Sequence, residues 1–224
     1  MGIVYKAQGK YEEALEAYSK SLDIKIKVLG GDSLDVASTH SNVGGVHSGL
    51  CDFGKALAHY GKAREVFVAI CGAESKESAA TLSNMAMVHH QQGQIEKALE
   101  LYQQALEIKV KVAGHDSRDA ADTKYNMAVL HQAHGRPGKA KQLFLECQAI
   151  YAKVLGPEHS TTAEAARQVR KCDEVRKAKS KGGTRNLKSG AGGAGFRLTK
   201  PKRNLKVGAG GAGLRSARPE HNLK

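Results

Sequence analysis

A spacing of 42 residues recurs through roughly the first three quarters of this chain and limits its fold more than any other feature. Gly30, Gly72, Gly114 and Gly156 form one column at that interval. Ala14, Ala56, Ala98 and Ala140 form a second, and Tyr18, Tyr60, Tyr102 and Phe144 a third. Thr39, Thr81 and Thr123 recur with Asn42, Asn84 and Asn126 three residues behind them. Five columns in register leave a repeat array as the architecture, in which each unit buries its apolar face against its neighbours.

Inside one unit the apolar spacing is helical. Ile95, Ala98, Leu99, Tyr102, Leu106 and Val110 make one stripe, and Ala79, Leu82, Ala86 and Met87 make a second on the stretch before it. Each repeat therefore reads as a helical hairpin. Ser33, Ser75 and Ser117 stand just ahead of the first helix, with Asp35, Glu77 and Asp119 two residues later. A hydroxyl there accepts from an orphan helix amide, and the acid suits the positive end of the helix dipole. The Gly column supplies the left-handed stop of the preceding helix. With 5% aromatic residues and no Trp, the core has to be assembled from Ala, Leu, Ile and Val, which suits thin helical layers.

The patterns GKYEEALEAY (residues 9–18) and GQIEKALELY (residues 93–102) resemble the signature of the tetratricopeptide repeat (TPR). The longer unit, with Ile-Lys-x-Lys-Val-[Leu/Ala]-Gly followed by x-[Val/Ala]-Ala-x-Thr-x-x-Asn, is similar to the kinesin light chain and nephrocystin-3 branch of that superfamily. Pro, usual shortly after the Gly column in light chains, is replaced by Leu34, Lys76, Arg118 and Ser160. The resemblance implies an all-α, right-handed superhelical solenoid of antiparallel helix pairs over residues 1–180. The first layer is expected to be cut short, about four units to be present, and a capping helix to follow Pro157.

The family lines its concave groove with the first helices and uses a mid-helix Asn to grip an extended peptide backbone. Asn42, Asn84 and Asn126 match that position, and an amide both donates to a carbonyl and accepts from an N–H. The alternative is that they bridge neighbouring helices. Gly45, Met87, Val129, Ser41, Ser83, Tyr125, His90 and Gln132 are expected around them. The Lys/Arg pairs of a carboxylate clamp are missing from these positions. The expected partner is another protein, held as an extended segment. The incomplete first layer offers a face for self-association.

Net charge is +13, but 14 Lys and Arg against 3 acids lie from Cys172 onward, giving +11 there and +2 in residues 1–171. Residues 181–224 repeat RNLKSGAGGAGFR as RNLKVGAGGAGLR, a basic Gly/Ala-rich segment expected to be disordered and capable of weak polyanion contact, with nucleic acid or microtubules. No catalytic motif emerges, and no cofactor or metal is expected. The column His47, His89 and His131 reads as structural, because packed helix axes stand about 8–10 Å apart while zinc ligands lie about 2 Å from one ion. Cys51, Cys71, Cys147 and Cys172 show no CxxC pairing, which points to a reducing cytoplasmic setting without membrane insertion.

Overall fold

The computed structural model describes residues 1–182, with side chains through Ala178, and the basic tail expected at 181–224 falls almost entirely outside the described residues. The helices, in order, are α1 (Gly2–Ala7), α2 (Tyr11–Leu29), α3 (Leu34–Gly49), α4 (Phe53–Cys71), α5 (Lys76–Gln91), α6 (Ile95–Ala113), α7 (Arg118–Ala133), α8 (Pro137–Leu155) and α9 (Ser160–Gly182). Helices α3, α5 and α7 share one set of limits shifted by 42 residues, and so do α2, α4, α6 and α8. Each helix packs chiefly on its sequence neighbours, and α3 also touches α5. That contact pattern is a solenoid of helix pairs.

The columns explain the regularity. Ser33, Ser75 and Ser117 accept hydrogen bonds from the backbone N–H of Val36, Ser78 and Ala120 at 3.2–3.3 Å, starting α3, α5 and α7. Gly30, Gly72, Gly114 and Gly156 end the second helices at φ between 82° and 95°, where a side chain would be strained. The turn between the two helices of a pair repeats the device at Gly9, Gly93 and Gly135, and Cys51 takes their place with φ 62°, the only non-Gly residue at positive φ among the described residues. Each Thr of the column returns its hydroxyl to the carbonyl four residues back, on Asp35, Glu77 and Asp119.

Between layers, the Ala column is fully buried, and Tyr60, Tyr102 and Phe144 are buried beside it. Two half-buried ammonium groups stitch alternate layers. Lys25 of α2 reaches Thr39 at 3.0 Å, and Lys109 of α6 reaches Thr123 at 2.8 Å and Ser83 at 3.0 Å. On the outer edge Lys111 pairs with Glu74 and Lys153 with Asp116, a contact that recurs one repeat on. At the N-terminal layer α1 supplies only six residues, and Ile3 and Ile24 stand 65% and 63% exposed.

The His column is structural, and its geometry shows how. The residue five positions on begins the next helix: Asp52, Gln94 or Arg136. Nδ1 of His89 meets Gln94 Oε1 at 2.6 Å, and Nδ1 of His47 lies 3.6 Å from Asp52. Arg136 has no acceptor to offer, so the buried Nδ1 of His131 lacks a partner, and burial together with Lys139 and Arg136 holds its pKa below the ordinary histidine range. Arg136 also starts α8 without a side-chain cap. Arg136→Asp supplies the missing cap, as Asp52 does by accepting from Lys55 N–H, and sets a carboxylate near His131 Nδ1, as Asp52 stands 3.6 Å from His47 Nδ1. The exposed Arg136–Glu96 pair that is lost contributes little. The expected gain is about 1 kcal/mol, read as a rise of about 3 °C in melting temperature by circular dichroism. An unchanged or lower melting temperature removes this account of the column.

Candidate functional site

The first helices α1, α3, α5, α7 and α9 form one row, held edge to edge by polar contacts. Ser48 of α3 donates to Gln91 of α5 at 2.8 Å, Lys76 of α5 lies 3.6 Å from Asp119 of α7, and Gln132 of α7 meets Cys172 Sγ of α9 at 3.6 Å. Asn42, Asn84 and Asn126 sit at equivalent points of α3, α5 and α7, each half-buried. None of the three amides makes a hydrogen bond with another group among the described residues, and Asn126 Oδ1 is buried without a partner. Among the described residues no hydrogen bond runs from this column to a neighbouring helix. Apart from Asn126 Oδ1, the amide atoms of the column stay in contact with solvent and keep both donor and acceptor capacity.

Around this ladder the expected residues separate. Gly45, Met87 and Val129 are half-buried at one register on the row. The Lys6 ammonium of α1 lies over Gly45, where a side chain would have to displace it, and Tyr60 Oη lies beyond. Burial pushes the Lys6 pKa down, and Lys6 has no ion-pair partner among the described residues. His90 is half-buried with Nδ1 unpartnered, and its pKa is lowered by burial and by His134. Gln132 is partly engaged with Cys172.

Two expected positions are drawn away from the row's surface. Ser83 donates to the Ala79 carbonyl and accepts from Lys109, so its hydroxyl serves the seam with α6. Ser41 occupies the same register on α3 and is half-buried. Tyr125, in that register on α7, is 4% exposed and belongs to the core, edge-on to Phe144 with ring centroids 5.2 Å apart and packed with Ala165 of α9. Its length is the reason: where serine stops short, a phenol ring fills the space between α7, α8 and α9. Its pKa rises to about 12, chiefly through burial.

The row is thus a hydrogen-bonding surface with apolar patches, an exposed Lys76–Asp119 pair and one half-buried cation, Lys6, at its α1 end. Among the described residues no group of His, Cys, Asp and Glu side chains is arranged to hold a metal ion, and no helix is long and apolar enough to cross a membrane. Sequence reasoning passed over one polar cluster, formed by His40 and His59. The signal was present: 42 residues on, His40 becomes Leu82, and His59 becomes Leu101.

Comparison with known proteins agrees with this geometry. A family model described as tetratricopeptide repeat matches residues 1–69 and 77–153. Among solved structures, a putative kinesin light chain of Podosopora anserina with nearly identical TPR-like repeats superposes with TM-score 0.65 at 18% identity, covering 82% of this chain and 87% of that one. BtubC (BKLC) from P. vanneervenii superposes with TM-score 0.63 at 19% identity, over 90% and 85% of the two chains. The apo form of RapI gives TM-score 0.65 at 16% identity, with 80% of this chain matched to 48% of RapI. Comparison with curated proteins finds no match.

Proposed function

This chain belongs to the tetratricopeptide repeat family, and on that premise we propose that it is a protein-interaction scaffold whose row of first helices holds an extended segment of another protein. The array is proposed to occupy residues 1–180, and the ligand's main chain to run across α3, α5 and α7. The observation that carries this reading is the Asn42, Asn84 and Asn126 ladder, whose amides bond to nothing among the described residues. Amides at one-repeat spacing meet successive peptide groups of an extended strand without reading its sequence. Gly45, Met87 and Val129 then receive side chains of the ligand, while His90 and Gln132 add polar contacts.

The test starts from an extended-peptide library selected on the full chain. The affinity of a selected peptide is then measured for the unmodified chain and for the triple variant Asn42→Ala, Asn84→Ala, Asn126→Ala. At about 0.5–1 kcal/mol for each hydrogen-bonding amide, binding weakens about tenfold to a hundredfold. The helical circular dichroism signal survives, because these side chains hold no other helix. Equal affinity in the two proteins refutes the groove reading.

A further inference from the structure

His40 and His59 stand where the next layer carries Leu82 and Leu101, and the two exchanges fall together in one layer. In place of those leucines stands a pair of imidazoles, with Nδ1 of His40 2.9 Å from Nδ1 of His59. The pair bridges α3 to α4. On its other side His59 stacks with His47 of α3, centroids 5.6 Å apart and planes 18° from parallel. Leu15, Ser19 and Leu22 of α2 and Val43 of α3 close over these two rings around a cleft of about 250 Å³. Three helices, spanning the junction between the first layer and the second, meet on this cluster.

An Nδ1···Nδ1 hydrogen bond requires one ring to donate and the other to accept, so at least one must be neutral. A second proton makes both nitrogens donors, abolishes the bond and places two cations in contact. Only Asp52 offsets this, and only at His47. From α4, Lys62 acts on both His40 and His59, and Lys55 acts on His47. Asp52, at the start of α4, lies 3.6 Å from His47 Nδ1 and is already paired with Lys55. The side chains α2 lends to the cleft carry no charge. Among the described residues no group of three or more His, Cys, Asp or Glu side chains is arranged to hold a metal ion here.

We propose that His40, His59 and His47 form a proton-sensing joint between the first layer and the rest of the array, closed when the imidazoles are neutral and opened when they are protonated. Opening returns the rings to water, where histidine titrates near 6.5. Closed, burial first and then His40, His47 and Lys62 push His59 down to about 4, and burial lowers His40 and His47 as well. The open joint therefore binds more protons. Closure holds fully above the ordinary histidine range and is lost as the pH falls from about 6.5 towards about 4.

The experiment is hydrogen–deuterium exchange of the full chain at about pH 7.5 and about pH 5, corrected for intrinsic exchange rates and read by mass spectrometry. Peptides from α2 and α4 are expected to lose protection about tenfold or more relative to α6 at the lower pH. The same loss is expected to disappear in the double variant His40→Leu, His59→Leu, which reproduces the residues of the next layer. No differential loss in the unmodified chain, or an undiminished loss in the double variant, overturns the proposal. Should that variant fail to fold, proton NMR titration of the unmodified chain decides: a His59 midpoint near 4 supports the joint, and one at or above the ordinary histidine value refutes it. None of these readings depends on a ligand, so the joint and the groove stand or fall separately.

Discussion

Replacing Tyr102 by Ala is expected to cost about 3–5 kcal/mol, a large share of the about 5–15 kcal/mol that holds a typical domain. Tyr102 is 1% exposed and lies among Ala86 of α5, Ile95 and Ala98 of α6, and Met127 and Leu130 of α7. Removing the ring opens a cavity where three helices meet, and the surrounding Ala residues cannot collapse into it. Because each layer touches only its neighbours, the loss falls on the α5–α6–α7 junction, and the two ends of the array are expected to melt separately. Tyr102→Phe separates the ring from its hydroxyl. The hydroxyl is buried with no partner, and burial raises its pKa, so deleting it is neutral or slightly stabilising. Urea denaturation followed by circular dichroism measures both. A Tyr102→Ala loss below about 1 kcal/mol contradicts this assignment of the core.

The second large effect is set by the period. Deleting residues 77–118 removes one full repeat and joins Lys76 to Asp119, leaving Ser75 to cap the fused helix. Phe53, Ala56, Leu57 and Tyr60, which pack with Met85 and Val88 of α5, then meet Met127 and Leu130 of α7 in the same register. The shortened chain is expected to fold cooperatively with a lower melting temperature. Deleting residues 93–113, half a period, joins α5 to α7 without the helix that belongs between them. Ala86 loses Ile95, Ala98 and Tyr102, and no other element presents a matching face. That chain is expected to aggregate or to lose most of its helical signal. Comparable stability of the two deletions contradicts a layered array.

The cluster at His40 and His59 shows where pattern reading stopped. The columns compare each residue with its equivalents 42 positions away, and these two histidines differ from theirs, so neither belongs to a column. They are 19 residues apart and meet only because α3 and α4 fold back on each other. Tyr125 shows the converse. Its column contains Ser41 and Ser83, which suggests a polar surface, yet the larger ring reaches α9 and is buried.

What the sequence determined by itself is everything set by local spacing and backbone conformation. The 42-residue period, the paired helices, the serine caps, the glycine stops and the packing role of the His47, His89 and His131 column follow from interactions within a few residues along the chain, and these repeat in each unit. Only the tertiary structure decided which polar groups are spent inside the fold. Ser83 is taken by Lys109, Gln132 by Cys172 and Asp122 by Tyr151, while the three Asn amides find no partner among the described residues and Lys6 lies over Gly45. Those outcomes depend on side-chain length across a helix crossing, where one longer residue in one layer changes what its neighbours can reach.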